Sequence, residues 1–409
     1  MAKQSDLFTC VDVGTSKVVA LIVQKGSNGL DIIGVGKSTS HGIKTGLVIN
    51  IDQTVRAIQQ AVEDAEQMAA TTSDSVIVSI SGAPIRGFNS KGLVAVRNRE
   101  VGSEDVRRVI EAARAIRLPE DRTVIHTLPQ GYVIDNNDIQ HSPVGMAGVR
   151  METKVHIVTS AKAAVENLMT CCTRNELKVD SLVLGGLASS ESVLTDDEKE
   201  LGVVLADIGD GTTDIVVWHN NAVIHTASAP YGGHLISSDI AIGLSTPRRE
   251  AERVKIKHGV ALCSLVEEDD QLEVPGTGGR EPINHQKRAL ADIIEPRLEE
   301  MMGVIFEEIQ KSGFADLLGA GVVLTGGTAK LPGICELAES VFHIPVRFGK
   351  PHLDKFGGLV DIVSGPEFAT AVGLTNWADK AASYAVQTER KKTGGRFEKM
   401  KNWLWKTVR

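Results

Sequence analysis

One design of strand, glycine turn and strand occurs twice in this chain, and that duplication limits the fold more than any other feature. The first copy, LFTCVDVGTSKVVALIVQ, runs an apolar strand into Asp12, turns through Gly14-Thr15-Ser16 and leaves on a second apolar strand. The second, LGVVLADIGDGTTDIVVWH, enters Asp207, turns through Gly209-Asp210-Gly211-Thr212-Thr213 and leaves from Asp214. Each continues through a further polar turn into a third strand, LDIIGVGKS and AVIHTASAP. The copies lie 195 residues apart, which fits a duplicated α/β fold with a cleft between its halves.

The turns point to phosphate. Glycine lets backbone N–H groups converge on an anion with no Cβ in the way. The hydroxyls of Thr15, Ser16, Thr212 and Thr213 can add donors, and Lys17 is placed to meet phosphate charge. Asp12 and Asp207 would be repelled by phosphate, but carboxylates at strand ends suit a Mg²⁺ ion held through its waters. A third turn, GVVLTGGTAKLPGICELAESVF, passes from strand through Gly326-Gly327-Thr328 into a helix near Pro332. Such a turn can bring backbone against the sugar or first phosphate of a nucleotide. No GxxxxGK(S/T) and no complete GxGxxG is present, which disfavours P-loop and Rossmann folds.

The last fourteen residues, RFEKMKNWLWKTVR, have a different character. On a helical projection Phe397, Met400, Trp403, Leu404, Thr407 and Val408 share one arc. Glu398, Lys399, Asn402, Lys406 and Arg409 lie opposite, with Lys401 and Trp405 on the border. Five basic residues against Glu398 give +4, so a chain of net charge −8 carries −12 elsewhere. At roughly 20 Å such a helix is too short to cross a bilayer, but it suits an anionic membrane surface. The polar stretch QTERKKTGG before it reads as a flexible linker; the alternative is a terminal helix docked on its own domain.

The body, at −12, does not attract nucleic acid. MAKQSDLFTC has no apolar export signal, the longest apolar runs are strand-length, and five cysteines without CxxC spacing fit reduced thiols in a cytoplasmic protein. His141, His156, His234, His258 and His343 form no ligand pair, so no metal beyond Mg²⁺ is expected. His234 is expected to cap or pack near the second hairpin. SEDVRRVIEAARAI reads as a helix with Ser103 as N-cap, and NIDQTVRAIQQAVEDAEQMA as a helix with apolar residues three and four apart.

Two phosphate hairpins and a strand–GG–helix turn resemble the actin, heat-shock chaperone and sugar-kinase superfamily. GVGKSTSHGIKTGLVINIDQTVRAIQQAVEDAE, SGAPIRG, PVGMAGVRMETKVHIVTS, GLASSESVL, YGGHLISSDIAIG and IEPRLEEM narrow the resemblance to the FtsA family of bacterial division proteins, from about residue 8 to 375 and again in the tail. The resemblance implies an actin-like (ribonuclease H-like) α/β fold with a central nucleotide cleft and an inserted 1C subdomain in place of actin's 1B. Subdomain 1A would take residues 1–81, 161–190 and 361–380, and 1C residues 82–160. Subdomain 2A would take 191–229 and 301–360, and 2B 230–300. A linker at 381–395 and an amphipathic helix at 396–409 would follow.

By position the resemblance puts Asp12, Gly14, Thr15, Ser16 and Lys17 in the first phosphate motif, and Asp207, Gly209, Asp210, Gly211, Thr212, Thr213 and Asp214 in the second. Gly233, Glu252, Lys255, Gly326, Gly327 and Thr328 join the nucleotide set, with ATP and Mg²⁺ as cofactors. Most family members are expected to carry glycine at position 210, whereas actin has aspartate; a carboxylate there would sit beside the terminal phosphate. GGLASS offers no Gln or Glu to orient a water, so ATP binding with weak or no hydrolysis is expected. The implied partners are the acidic-hydrophobic tail of FtsZ, contacting Arg297, Arg288 and Arg280, other copies of the chain, later division proteins and anionic lipid at the inner membrane face of the septum. The competing expectation is a small-molecule kinase or phosphatase of the same superfamily. The heat-shock type fits poorly, because little chain follows residue 380.

Overall fold

The computed structural model describes residues 7–26, 29–139, 142–267 and 269–390. Its first half contains β1 (Leu7–Val13), β2 (Lys17–Lys25), β3 (Leu30–Thr39), the short pair β4 (Ile43–Lys44) and β5 (Leu47–Val48), α1 (Ile51–Ala69) and β6 (Ser75–Ile80). An inserted unit holds β7 (Arg86–Ala95), α2 (Ser103–Arg114), β8 (Arg122–Ile134), β9 (Asn137–Ile139) and β10 (Arg150–Ala161). Then come α3 (Lys162–Thr173), β11 (Lys178–Leu184), α4 (Gly185–Val193) and α5 (Asp196–Leu201). The second half has β12 (Val203–Ile208), β13 (Thr213–His219), β14 (Ala222–Ala229), α6 (Gly233–Gly243), α7 (Arg248–His258), β15 (Gln271–Val274), β16 (Ile283–Gln286), α8 (Lys287–Ser312), β17 (Val322–Thr325), α9 (Ile334–Phe342), β18 (Val346–Phe348), β19 (Phe356–Gly358) and α10 (Ala369–Arg390).

The two halves repeat one topology. β1 pairs antiparallel with β2, Asp12 opposite Val19, and parallel with β6. β12 pairs antiparallel with β13, Asp207 opposite Asp214, and parallel with β17. The sheets run β11-β6-β1-β2-β3-β19 and β14-β13-β12-β17-β18. Continuous apolar runs make this possible, because central strands covered on both faces need apolar residues throughout; Val18–Val23 and Val203–Ala206 are buried at every position. Helix α1 covers the first sheet with Ala57, Ile58, Ala61, Val62 and Ala65, and Asn50 caps it by accepting from Gln53 N–H at 3.0 Å.

The insert is a four-stranded sheet, β7-β10-β8-β9, with α2 on one face around Val96, Val109, Ile134 and Met151. Two histidines join it to both halves. His126 Nε2 accepts from Leu184 N–H at 3.0 Å, and His156 lies 2.9 Å from both Asn89 Oδ1 and Thr226 Oγ1. Burial pushes His126 down to about 4 and His156 down to about 3, so both are neutral at pH 7. The unfolded chain binds protons below about pH 6.5 that the folded chain refuses, so the contribution of each histidine is complete above that pH and is lost as pH falls. The cleft carboxylates Asp12 and Asp214, raised to about 6 and about 7, act with the opposite sign over the same window. The expected result is therefore a difference. The stability advantage of wild type over His156→Gln should shrink by roughly 1 kcal/mol between pH 6.5 and 5.5, checked by denaturant titration. An advantage independent of pH would refute it.

Several expectations shift. Gly102, not Ser103, caps α2; the Asp105 carboxylate accepts from Gly102 N–H at 3.1 Å, so the acidic third residue replaces a serine cap. α4 crosses the expected border at 190, and α8 runs unbroken through the one at 300. β19 already pairs with β3 before residue 361, so the chain re-enters the first sheet earlier than expected. Residues 381–390, expected as linker, continue α10, in keeping with the good helix formers of AASYAVQTER.

Helix α10 also sets the spacing at the centre. A Cβ built on Gly373 would stand 1.7 Å from the Ala188 carbonyl oxygen, so α10 and α4 touch backbone to backbone. Ser192 Oγ donates to the Ala369 carbonyl at 2.7 Å and Asn376 Nδ2 to the Glu191 carbonyl at 2.9 Å, fixing the same crossing.

Candidate functional site

Between the halves lies a cavity of about 380 Å³ lined by all three glycine turns. The first two meet at its inner end, where a Cβ on Gly211 would be 2.4 Å from Thr15 Oγ1; only glycine permits that approach. Of the eighteen residues expected to hold nucleotide, all but Thr213 and Gly233 line the cavity. Those two stand behind it: Thr213 Oγ1 donates to the Tyr231 carbonyl, and Gly233 N–H donates to the Gly209 carbonyl at 3.0 Å. His234 holds the turn as expected, its ring nitrogen 2.7 Å from the Asp210 carbonyl.

Each inner carboxylate is gripped by hydroxyls. Ser79 Oγ donates to Asp12 Oδ1 at 2.7 Å, and Ser228 Oγ to Asp214 Oδ1 at 2.5 Å. Asp207 Oδ2 accepts from Ser189 Oγ and, at 3.1 Å, from Thr370 Oγ1. Burial raises the pKa of all three, pushing Asp12 to about 6 and Asp214 to about 7, while the hydroxyl bonds act against the rise. Lys17 is lowered to about 8 by burial, with Asp12 and Glu367 pulling it back up. Its ammonium donates to the Glu367 carbonyl at 2.6 Å and stands over the Phe368 ring. Lys330, at the mouth, pairs with the Glu367 carboxylate at 3.1 Å.

The outer end is built on α6 and α7. Lys255 Nζ donates to the Gly233 carbonyl at 3.0 Å and to Glu252 at 2.7 Å, Glu252 also accepts from Ser237, and Thr328 Oγ1 donates to the Gly209 carbonyl at 2.9 Å. Asp210 belongs electrostatically to this end. Burial raises its pKa, Lys255 lowers it and Glu252 raises it, with lesser lowering by His234 and Arg248.

Reading the sequence missed the supporting residues: Ser79, Ser189, Ser228, Thr370, Glu367 and Lys330. It also missed Ile256, 74% exposed, which with Leu331 and Pro332 gives the mouth an apolar lip. Ile256 could have been found, because it follows Glu252 by one helical turn.

In the region expected as subdomain 2B, Arg297 is half-buried. Its Nε lies 2.5 Å from Asp239 Oδ2 and it also pairs with Glu300, so it braces α8 against α6 instead of standing free. Arg288 is exposed, 3.9 Å from Asp292, and Arg280 is exposed. Phe397, Lys399, Met400, Trp403, Leu404, Trp405, Lys406 and Val408 lie outside the described residues. Among the described residues no helix is long and apolar enough to cross a membrane, and no cluster of three or more His, Cys, Asp or Glu could hold a metal directly.

Comparison with known proteins agrees with this architecture. A family profile described as the cell division protein FtsA matches residues 204–373, and one for the SHS2 domain inserted in FtsA matches residues 82–159. Among solved structures, the PilM–PilN type IV pilus biogenesis complex gives a TM-score of 0.64 at 17% identity, over 90% of this chain and 97% of that one. MreB5 of Spiroplasma citri bound to ADP gives 0.56 at 11% identity, over 94% and 99%. These likenesses show an actin-like fold. Cell division protein FtsA of Pseudomonas aeruginosa is 47% identical over 89% of this chain and 87% of its own length. That of Neisseria meningitidis is 44% identical over 99% of both, and that of Escherichia coli K12 is 39% identical over 99% of this chain and 100% of its own length. With such identity over almost its whole length, this chain belongs to the FtsA family of cell division proteins.

Proposed function

We propose that the chain binds ATP with Mg²⁺ in this cleft, assembles with copies of itself on the inner face of the cytoplasmic membrane at the septum, and tethers FtsZ filaments there while recruiting later division proteins. The observation that carries the nucleotide reading is the convergence of three glycine turns, Lys17 and the hydroxyl-gripped carboxylates on one cavity of about 380 Å³, within the range of small-ligand pockets. Asp12 and Asp207 each keep a carboxylate oxygen clear of the hydroxyl grip, which suits contact with the waters of a Mg²⁺ ion. Hydrolysis is expected to be weak or absent: in GGLASS only Ser189 reaches the carboxylates, and its hydroxyl donates to Asp207 instead of orienting a water. The FtsZ tail would be met on 2B by exposed Arg280 and Arg288, with Arg297 shaping the surface from its ion pair with Asp239.

Equilibrium titration with a fluorescent ATP analogue and Mg²⁺ tests the cleft. Wild type should bind, and Lys17→Ala should bind about 10–100-fold more weakly, the value of a charged hydrogen bond. No binding by wild type, or equal affinity in the variant, would overturn the reading.

A further inference from the structure

The inserted unit grows out of one half of the molecule and is bonded to the other. The chain leaves the first half after β6 and comes back through β10 into α3, while β14 is the edge strand of the second sheet. Asn89 Nδ2 donates to the Ile224 carbonyl of β14 at 3.1 Å, and Gln130 Nε2 donates to the Val223 carbonyl at 2.8 Å. Gln130 also donates to Asn89 Oδ1 at 2.8 Å, and the buried His156 spans Asn89 and Thr226, so these side chains form one network along the seam. A Cβ on Gly87 would stand 2.3 Å from Thr226 Oγ1, which leaves no space between the two surfaces there.

The seam ends inside the cleft. Ser228, buried on β14, uses one hydroxyl twice: it donates to Asp214 Oδ1 at 2.5 Å and accepts from Gly82 N–H at 3.0 Å. Asp214 lines the cavity, and Gly82 stands four residues before β7. On its other side Gly82 meets Gly46, where an added Cβ would be 2.7 Å from the Gly82 Cα. Gly46 N–H in turn donates to Thr15 Oγ1 of the first glycine turn at 3.2 Å. The root of the insert is thus tied to both phosphate turns.

A nucleotide gripped by turns from both halves makes its full set of contacts only while the halves are close, so binding favours that state. Separating them draws β14 away from an insert that is covalently rooted in the first half, and the seam bonds oppose the movement. We propose that the insert is a brace across the cleft: nucleotide binding closes the seam, a closed seam slows nucleotide release, and Ser228 is the positioning residue that ties the two together. The inference rests on the nucleotide reading above and adds a coupling, which linkage requires to act in both directions.

The test uses the full chain with Mg²⁺ and a fluorescent ATP analogue, and follows both its dissociation rate and hydrogen exchange in residues 82–90 and 222–229. In wild type the analogue should slow exchange in both segments by about 5–50-fold, the usual range of a coupling between sites. Asn89→Ala combined with Gln130→Ala removes seam bonds from residues that do not line the cavity, and should release the analogue about 5–50-fold faster with little change in association. Ser228→Ala should lose the nucleotide-dependent protection of residues 82–90. A seam that serves folding alone would give lower melting temperatures in the variants, with release and protection as in wild type, and that result overturns the inference. So does bound nucleotide that leaves seam exchange in wild type unchanged. Failure of wild type to bind the analogue overturns the nucleotide reading and this one with it.

Discussion

Replacing Gly373 by alanine should lower the melting temperature by roughly 2–5 °C and weaken nucleotide binding in the protein that remains folded. The sign is unusual. In an exposed helix interior, alanine for glycine gains about 1 kcal/mol. Here the added Cβ would stand 1.7 Å from the Ala188 carbonyl oxygen, and backbone cannot rotate away as a long side chain could. Relief requires α10 to move off α4, which breaks the bonds of Ser192 to Ala369 and of Asn376 to Glu191. Overpacking costs about 1–3 kcal/mol, and a backbone contact this close belongs at the upper end, so the clash wins over the propensity gain. The same movement separates Thr370 from Asp207 and Glu367 from Lys17, which is why the cleft should suffer with the fold. Calorimetry together with ATP titration checks both halves. A melting temperature at or above wild type would mean that the helices can separate at little cost and do not position the site.

What could be read beforehand was local. The glycine turns announce themselves because strand, Asp, turn and strand are contiguous, and sixteen of the eighteen expected residues line the cavity. The second layer was hidden because its members arrive from far along the chain. Ser79 reaches Asp12 across 67 positions and Thr370 reaches Asp207 across 163, and neither serine nor threonine has any periodicity to mark it. The electrostatic surroundings of Asp210 were equally hidden. Its neighbours in sequence are phosphate-turn glycines, but burial and then the charges of Lys255 and Glu252 on α7 act on it, and only the folded chain brings these about. The ion pair of Arg297 was hidden for a related reason: a basic residue on a polar helix looks free until Asp239, 58 positions earlier, is found against it. The continuation of α10 through residue 390 was missed because charge and polarity in the TER segment outweighed its helix propensity in the reading.

Removing residues 396–409 should lower binding to anionic vesicles at least tenfold while leaving ATP affinity unchanged. The body of the chain, at −12, is repelled by such a surface, so attachment must come from the +4 tail. Each basic residue near an anionic headgroup contributes about 1 kcal/mol, and Phe397, Met400, Trp403, Leu404 and Val408 would add apolar contact on one face of the helix that the sequence predicts. A single helix of this length binds weakly, comparable to one lipid chain, and becomes effective when assembly presents many at once. ATP with Mg²⁺ should therefore raise vesicle co-sedimentation of the full chain, and Trp403→Glu, which puts a charge in the apolar face, should abolish the rise without changing nucleotide affinity. The competing arrangement, a terminal helix packed on its own domain, predicts the reverse pattern: vesicle binding indifferent to truncation, and a lower melting temperature because a buried face has been exposed. Binding and melting measured on the same truncated protein separate the two, since each arrangement moves one quantity and leaves the other in place.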